Sequence, residues 1–580
     1  MFVGKWSRAF FALAVLVAYP AAAQQAPDIV GDWQGQIALP TGNLTMAVHI
    51  KRGEGGALEG GIENFDQNPG NSAELSDIVA SDGKFSFKVP RVNATYTAAW
   101  DEASHQWKGT LTQGQALPLN LAKGNPPNKP VIAGLDGVWV GSIEVNGAKL
   151  RQVLAVHTVP QGTFALYSSP DQLVNGIPVT DLKRDGSKVT LATIGGLVKF
   201  AGTLSPDGAS LAGTWTAPNQ PDATMTFTKA TEEQIAARRN PARPQTPKPP
   251  FPYKAVEVAF DNPAFPDVHL AGTLTVPAGR GPFPAAIMIT GSGAQDRDET
   301  LLDHKPFAVI ADYLTRHGIA VLRFDDRGVG KSTGIYETAT SADLATDANA
   351  AFAYLLTRPE MRRDAIGFIG HSEGGMIGPI AMASNDKAAY FISLAGPGTD
   401  LIQLMLSQRR LVATQMGLSE AQVDSQEPVM RAVFEAIANA DTSKAGYDAA
   451  MAVMTPEAKA KMGMPADTDG ALLVRQVSGP WFQYFLKYDP KPFWERIKVP
   501  VLALNGSLDR QVPPKENLAA IREALKDNPD VTAVELPGLN HLFQPATTGA
   551  VGEYRDIETT IAPIVLETMS DWLTKHFVKG

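Results

Sequence analysis

The 580-residue chain contains no cysteine. This excludes disulfides, thiolate-bound metals and a cysteine nucleophile together. Basic residues are scattered: 51 Lys and Arg against 60 Asp and Glu leave a net charge of −9, with no basic block. Nucleic acid is therefore not an expected partner. Beyond the first two dozen residues no apolar run reaches the twenty or so residues a bilayer span needs, so no membrane span is expected in the mature form. Histidine is sparse, at nine residues, which narrows the search for a catalytic base. What remains is 44% hydrophobic and 19% charged, the balance of a folded globular protein. The length exceeds what one core supports and points to several domains.

The N-terminus has the layout of a secretory signal. Lys5 and Arg8 precede an apolar stretch from Ala9 to Tyr19, and Pro20 and Ala21-Ala22-Ala23 supply a helix break and a small-residue cleavage site before Gln24. Residues 1–23 are read as a signal peptide and the mature protein as exported, to a periplasm or beyond. An uncleaved anchor is the alternative.

Residues 24–128 and 129–230 read as two copies of one all-β unit. Gly31-Asp32-Trp33-Gln34-Gly35 recurs as Gly137-Val138-Trp139-Val140-Gly141, and Trp107-Lys108-Gly109-Thr110 as Leu211-Ala212-Gly213-Thr214. Short alternating stretches such as Lys84–Val89 are separated by Asp-Gly turns. A small antiparallel barrel, lipocalin-like, or a sandwich fits each copy. The tryptophans are read as core, and His49, His105 and His157 as structural or surface residues.

Residues 231–252 begin with a short helix-compatible stretch. Pro241, Pro244, Pro247, Pro249, Pro250 and Pro252 then exclude helix and central strand alike, leaving an extended spacer. From 253 to 580 strands and helices alternate, the pattern of a mostly parallel sheet. The rhythm stops over about 399–492, where helices predominate and Pro428 is expected to break or kink one of them. This insertion is read as a lid, with Trp481 and Phe482 in an aromatic cluster that could form lid core or pocket wall.

The chemistry centres on Ile366–Met376. An apolar strand ends in Gly370-His371-Ser372-Glu373-Gly374 and leads into an apolar helix. This is G-x-S-x-G in the strand–turn–helix setting that exposes a serine hydroxyl at the tip of a sheet. A serine needs a base, and the base an orienting acid, carried on loops after later strands. His541, in the loop after Val531–Leu536, is the candidate base; His576 lies in the closing helix. Asp509, after Val501–Leu504, is the candidate acid, with Asp400 and Glu516 as fallbacks. The amide of Glu373 and that of Ser292, or alternatively Gly293, are the candidate oxyanion donors.

Several neighbours are set aside. Gly328-Val329-Gly330-Lys331-Ser332 ends like a phosphate loop, but Asp325 stands where its first glycine belongs. Asp326 and Arg327 are read as ion-pair residues that fix a loop. The charges of Asp296, Arg297, Asp298 and Glu299 are expected to pair within their own loop. His371 does not hold the base position, and His304 could line the pocket mouth. No spacing suggests zinc, and no cofactor or metal is expected.

The ordered set Gly291-Ser292-Gly293, Asp325–Gly330, Gly370–Gly375, Asp509 and His541 resembles the α/β-hydrolase superfamily. More narrowly, it resembles bacterial serine carboxylesterases related to serine aminopeptidases and prolyl-oligopeptidase-type enzymes. The resemblance covers about residues 250–580. It implies a Ser372–His541–Asp509 triad, an oxyanion hole and a variable lid. Thr290 departs from the pattern, because many members carry histidine before the oxyanion glycine.

The expectation is an exported serine hydrolase acting on small carboxylic esters. One rival is a peptidase taking short peptides through the same residues, for which Glu420, Glu427 or Glu435 of the lid could anchor a charged N-terminus. Another is an envelope binding protein acting through its β repeats. Sequence leaves the oligomeric state open.

Overall fold

The computed structural model describes residues 27–578 except 40–41, 93, 114, 146–147, 173, 219, 240–242, 416–417 and 465–469. The signal-peptide reading falls on residues 1–23, outside the described residues.

Two antiparallel sheets come first. The first has ten strands between Gly31 and Lys123. The second is a closed eight-stranded barrel running from Gly137–Val145 to Ala223–Lys229. The repeated motif does the same work in both. Trp33 and Trp139 are fully buried, and each indole donates to a carbonyl four residues earlier, at 2.7 Å to Ile29 O and to Leu135 O. The glycine two residues later lets a neighbouring strand approach. A Cβ on Gly35 would lie 2.2 Å from Asn120 O, and one on Gly141 2.7 Å from Thr226 O. Trp107 and Trp215 are buried in the same two cores.

The proline-rich segment is fastened to the C-terminal half of the chain. Arg243 donates to Leu302 O, Arg555 O and Ile557 O. Gln245 bonds the backbone of Thr560 and Ile561. The expected spacer is thus held at Arg243 and Gln245, whose side chains reach backbone groups.

The third sheet has eight strands: β1 (Lys254–Asp261), β2 (His269–Val276), β3 (Phe283–Ile289), β4 (Ala320–Phe324), β5 (Met361–His371), β6 (Phe391–Leu394), β7 (Val501–Gly506) and β8 (Val531–Leu536). Their order is β1-β2-β4-β3-β5-β6-β7-β8. β1, β2 and β4 pair antiparallel, and the rest pair parallel. Parallel strands need both faces covered, which explains their unbroken apolar runs. Helices α1 (Pro306–Arg316), α2 (Ser341–Leu356) and α3 (Gly374–Ala383) are among those that cover them. This is the α/β-hydrolase architecture.

The lid comprises α4 (Leu401–Gln415), α5 (Glu420–Asn439), α6 (Ser443–Val453), α7 (Pro456–Lys461), α8 (Ala471–Gln476) and α9 (Pro480–Lys487). Pro428 does not break α5, which runs through it as one helix. Pro428 and Asp424 both lie on the exposed face, where water can take up the Asp424 carbonyl that loses its partner. Glu420 and Glu427 bond Arg410, and Glu435 is exposed on the same helix, so none of these three acids faces the pocket.

Candidate active site

β5 ends at His371, and the chain turns at once into α3. Ser372 takes φ +53°, a conformation that costs a non-glycine residue about 1–3 kcal/mol. Two bonds hold it there: Ser372 N donates to Leu394 O at 2.9 Å, and Gly375 N to Ser372 O at 2.8 Å. The flanking glycines are sterically required. A Cβ on Gly370 would lie 2.0 Å from Gly374 O, and one on Gly374 2.2 Å from Ile289 O.

Ser372, His541 and Asp509 are brought together. His541 Nε2 is 3.0 Å from Ser372 Oγ, and His541 Nδ1 is 2.8 Å from Asp509 Oδ2. Both loops that deliver the partners are tied by their own side chains. Asn540 Oδ1 accepts the amides of Leu542 and Gln544. Asp509 Oδ1 accepts the amides of Gln511 and Val512 at 2.8 and 2.9 Å, so this carboxylate shapes its turn with one oxygen and meets the imidazole with the other. The fallback acids lie elsewhere: Asp400 accepts the Gln403 amide at the start of α4, and Glu516 is exposed on α10 (Pro514–Ala524).

The serine opens onto a cavity of about 250 Å³. Its wall includes Ser292, Glu373, His541, Leu404, Trp481 and Phe485. Trp481 is thus pocket wall, whereas Phe482 packs in the lid core. Glu373 opens α3, whose N-terminus favours negative charge beside Ser372. The loop after β3 stands against the serine: a Cβ on Gly291 would meet Ser372 Cβ at 3.2 Å. The Gly291 amide is already taken by Glu299 Oε1 at 2.7 Å. Among the described residues the amides of Ser292 and Glu373 donate no hydrogen bond.

The acidic loop behaves otherwise than expected, because its charges pair outward. Arg297 binds Asp325 and Glu257, Asp298 binds Lys305 and Arg323, and Glu299 binds His371. Asp296 holds the loop itself, accepting from Asp298 N and from Thr300 N and Oγ1. Asp326 is not an ion-pair residue. Thr290 Oγ1 and the Gln295 amide donate to its two oxygens at 2.9 Å, and burial pushes its pKa up to about 8. The threonine that replaces the family's histidine therefore fixes the loop through Asp326. Arg327 pairs instead with Asp347 of α2.

His304 is 1% exposed and bonds Thr560, Tyr554 O and Gln544, away from the pocket mouth. His576 bonds Trp572 O and Asp530. His371 is buried between Glu299 and the His541 carbonyl oxygen, partners that the sequence did not suggest. A second unforeseen contact is Glu373, whose Oε1 accepts from Ser341 Oγ at 2.6 Å and from Trp481 Nε1 at 2.8 Å. Burial raises its pKa against the opposing pull of those bonds. Among the described residues no group of three or more His, Asp or Glu side chains could hold a metal ion.

Comparison with known proteins finds relatives of the C-terminal part of the chain. The family model of X-Pro dipeptidyl-peptidases (S15 family) matches residues 267–543. Esterase EstD of Thermotoga maritima is 27% identical over 274 residues, which are 47% of this chain and 58% of EstD. The alignment thus spans less than two thirds of that relative's length. Among solved structures, the α/β-hydrolase GrgF from Penicillium matches 56% of this chain and 99% of its own, at 20% identity and a TM-score of 0.36. The Pyrococcus furiosus esterase Pf2001 matches 58% of this chain and 97% of its own, at 16% identity and a TM-score of 0.35. The C-terminal part of the chain is thus similar to hydrolases of the S15 peptidase and EstD esterase kind.

Proposed function

We propose that the protein is an exported serine hydrolase that cleaves small carboxylic esters through an acyl-enzyme on Ser372. The observation that carries this reading is the continuous chain Ser372 Oγ–His541 Nε2 and His541 Nδ1–Asp509 Oδ2, at 3.0 and 2.8 Å, opening onto a pocket. His541 takes the hydroxyl proton as Ser372 Oγ forms a bond to the acyl carbon. The oxyanion that develops is held by the amide of Glu373 at the N-terminus of α3 and by that of Ser292 in the loop after β3. Asp509 fixes the imidazole tautomer and stabilises its charged form. His541 then passes the proton to the leaving alkoxide, the ester C–O bond breaks, and the alcohol departs. Water, deprotonated by the same base, releases the acid and regenerates Ser372.

Export rests on the layout of residues 1–23. The ester preference is supported by the kinship with EstD. A peptidase acting through the same residues has one observation in its favour, the match to X-Pro dipeptidyl-peptidases.

The test is hydrolysis of p-nitrophenyl acetate and butyrate by the mature protein beside Ser372→Ala, followed by matched aminoacyl p-nitroanilides. Ester turnover that falls by about 10⁴-fold or more in the variant is expected. Faster cleavage of the anilides than of the esters would move the assignment to the peptidase. Failure of a small fluorophosphonate to label Ser372 would overturn the serine-hydrolase reading.

A further inference from the structure

His371 precedes the nucleophile, and the reaction above gives it no step. Its ring is buried at 6% exposure, and both nitrogens face oxygen atoms. Nε2 is 3.1 Å from the backbone oxygen of His541, which can only accept, so Nε2 carries a proton. Nδ1 is 2.9 Å from Glu299 Oε1, which also accepts the Gly291 amide. A neutral imidazole donates from one nitrogen only; with two acceptors in place, the charged ring fits and the neutral ring does not. The electrostatics agree. Burial alone would strip the proton, but the Glu299 charge and hydrogen bond, with the His541 carbonyl, outweigh it, and the pKa of His371 is raised.

We propose that the His371–Glu299 ion pair is a positioning device for the base: it clamps the His541 backbone and holds a positive charge against the His541 ring. This rests on His541 being the base of the reaction above. The two rings have centroids 5.0 Å apart. The charged and titratable groups around them are Glu299 from the loop after β3, Asp509 from the loop after β7, His541 from the loop after β8, and Ser372 at the end of β5. Protonating His541 places a second positive charge beside the first. Two like charges would then face each other across the 5.0 Å between the rings, while Asp509 holds the orientation of His541. The same carboxylate that balances His371 also holds Gly291, so the oxyanion loop, the nucleophile turn and the base loop are locked through one buried pair.

The experiment is the pH dependence of kcat/KM on p-nitrophenyl butyrate for the wild type, His371→Gln, Glu299→Gln and the double variant. Fluorophosphonate labelling of Ser372 is run on each as a check of folding. Glutamine at 371 can still donate to the His541 carbonyl but carries no charge. His371→Gln leaves the Glu299 carboxylate unbalanced near the base, and its acid limb should move up by about one pH unit. In the double variant the carboxylate is gone too, and the limb should return part of the way. Glu299→Gln should fall in the same intermediate place, and it carries the test alone if His371→Gln fails to label. Acid limbs that coincide with the wild type in the labelled variants, whatever their plateau rates, would overturn the charge role and leave only structure. Wild-type turnover that persists in Ser372→Ala would instead remove the underlying reading.

Discussion

Trp481 on α9 of the lid donates its indole N–H to Glu373, the residue that follows the nucleophile, across 2.8 Å. The lid is thus fastened to the turn that it covers. Glu373 also takes the Ser341 hydroxyl from the start of α2, so one carboxyl group joins the lid, the nucleophile turn and the sheet's covering helices. Trp481→Phe keeps the ring in the pocket wall and removes the donor. One hydrogen bond is worth about 1 kcal/mol, so KM should rise about fivefold. kcat should change less, because Ser372 and His541 are untouched. Initial-rate kinetics on p-nitrophenyl butyrate measure the split, and a fall confined to kcat would place Trp481 in the chemistry rather than in substrate binding.

The nucleophile turn makes a second prediction. Gly370→Ala would put a Cβ 2.0 Å from the Gly374 carbonyl oxygen, and backbone cannot yield as a flexible side chain can. Ser372 would lose its place beside His541, and its labelling by a fluorophosphonate should slow by about 100-fold or more, in line with misplacement of a reacting group. Gly293→Ala provides the contrast. Gly293 has φ +96°, yet its Cβ would meet nothing within 4 Å, so this variant should fold and lose part of its rate through backbone strain alone. Comparable labelling of both variants would refute the steric account.

The contrast between these glycines shows what sequence could and could not supply. Gly370 and Gly374 were legible because a strand, a sharp turn and a helix leave one steric solution. His541 and Asp509 were legible because each sits in the loop after a recognisable strand. The repeated Trp33 and Trp139 announced the two β sheets for a similar reason, a motif tied to a fixed local geometry. The charged loop was not legible in this way. Arg297 is separated from Asp325 by another strand and helix, and Asp298 meets Arg323 across the same gap. Which acid meets which base there depends on how the β3 and β4 loops stack, and no local period records that. The part of His371 is not legible either, because its partners, Glu299 and the His541 carbonyl, come together only in the folded sheet.

Asp326 should impose a pH dependence on stability. Its pKa is pushed up to about 8 in the folded protein, chiefly by burial, against an ordinary value near 3.8. Between those values the folded chain holds a proton that the unfolded chain has released. Stability from this group is therefore lost as pH rises from about 4 to 8, with a slope of at most about 1.4 kcal/mol per pH unit. Asp326→Asn mimics the neutral acid, retaining one acceptor for the Gln295 amide and one donor for the Thr290 hydroxyl. The variant should match or exceed the wild type in unfolding midpoint at pH 8 and lose that advantage at pH 5. A constant difference across the range would show that Asp326 is ionised in the fold.

The buried pair Arg327–Asp347 gives the sharpest stability test. Arg327 Nε and Nη2 donate to the two Asp347 oxygens at 2.7 and 2.9 Å, with side chains 4% and 2% exposed. Nη2 also reaches Asp343 O, and the guanidinium lies 4.5 Å from the Phe265 ring centroid. Arg327→Met keeps bulk against Phe265 and leaves Asp347 without its countercharge. Removing one partner of such a pair costs about 3–5 kcal/mol. The loss should depend on pH with a definite sign. Burial already raises the pKa of Asp347, and Arg327 is the main force opposing that rise. Without Arg327 the folded pKa rises further above its unfolded value, so the variant gains relative stability as pH falls and Asp347 takes up a proton. The difference between variant and wild type should therefore be largest near pH 8 and shrink toward pH 5. Arg327→Met/Asp347→Leu, which removes both charges, should recover much of the loss at pH 8, because no unpaired charge is left in the core. Loss of Ser372 labelling during urea unfolding reports this domain separately from the two β sheets. A double variant no more stable than Arg327→Met at pH 8 would mean that the cost lies in packing around Phe265 and not in the orphaned carboxylate.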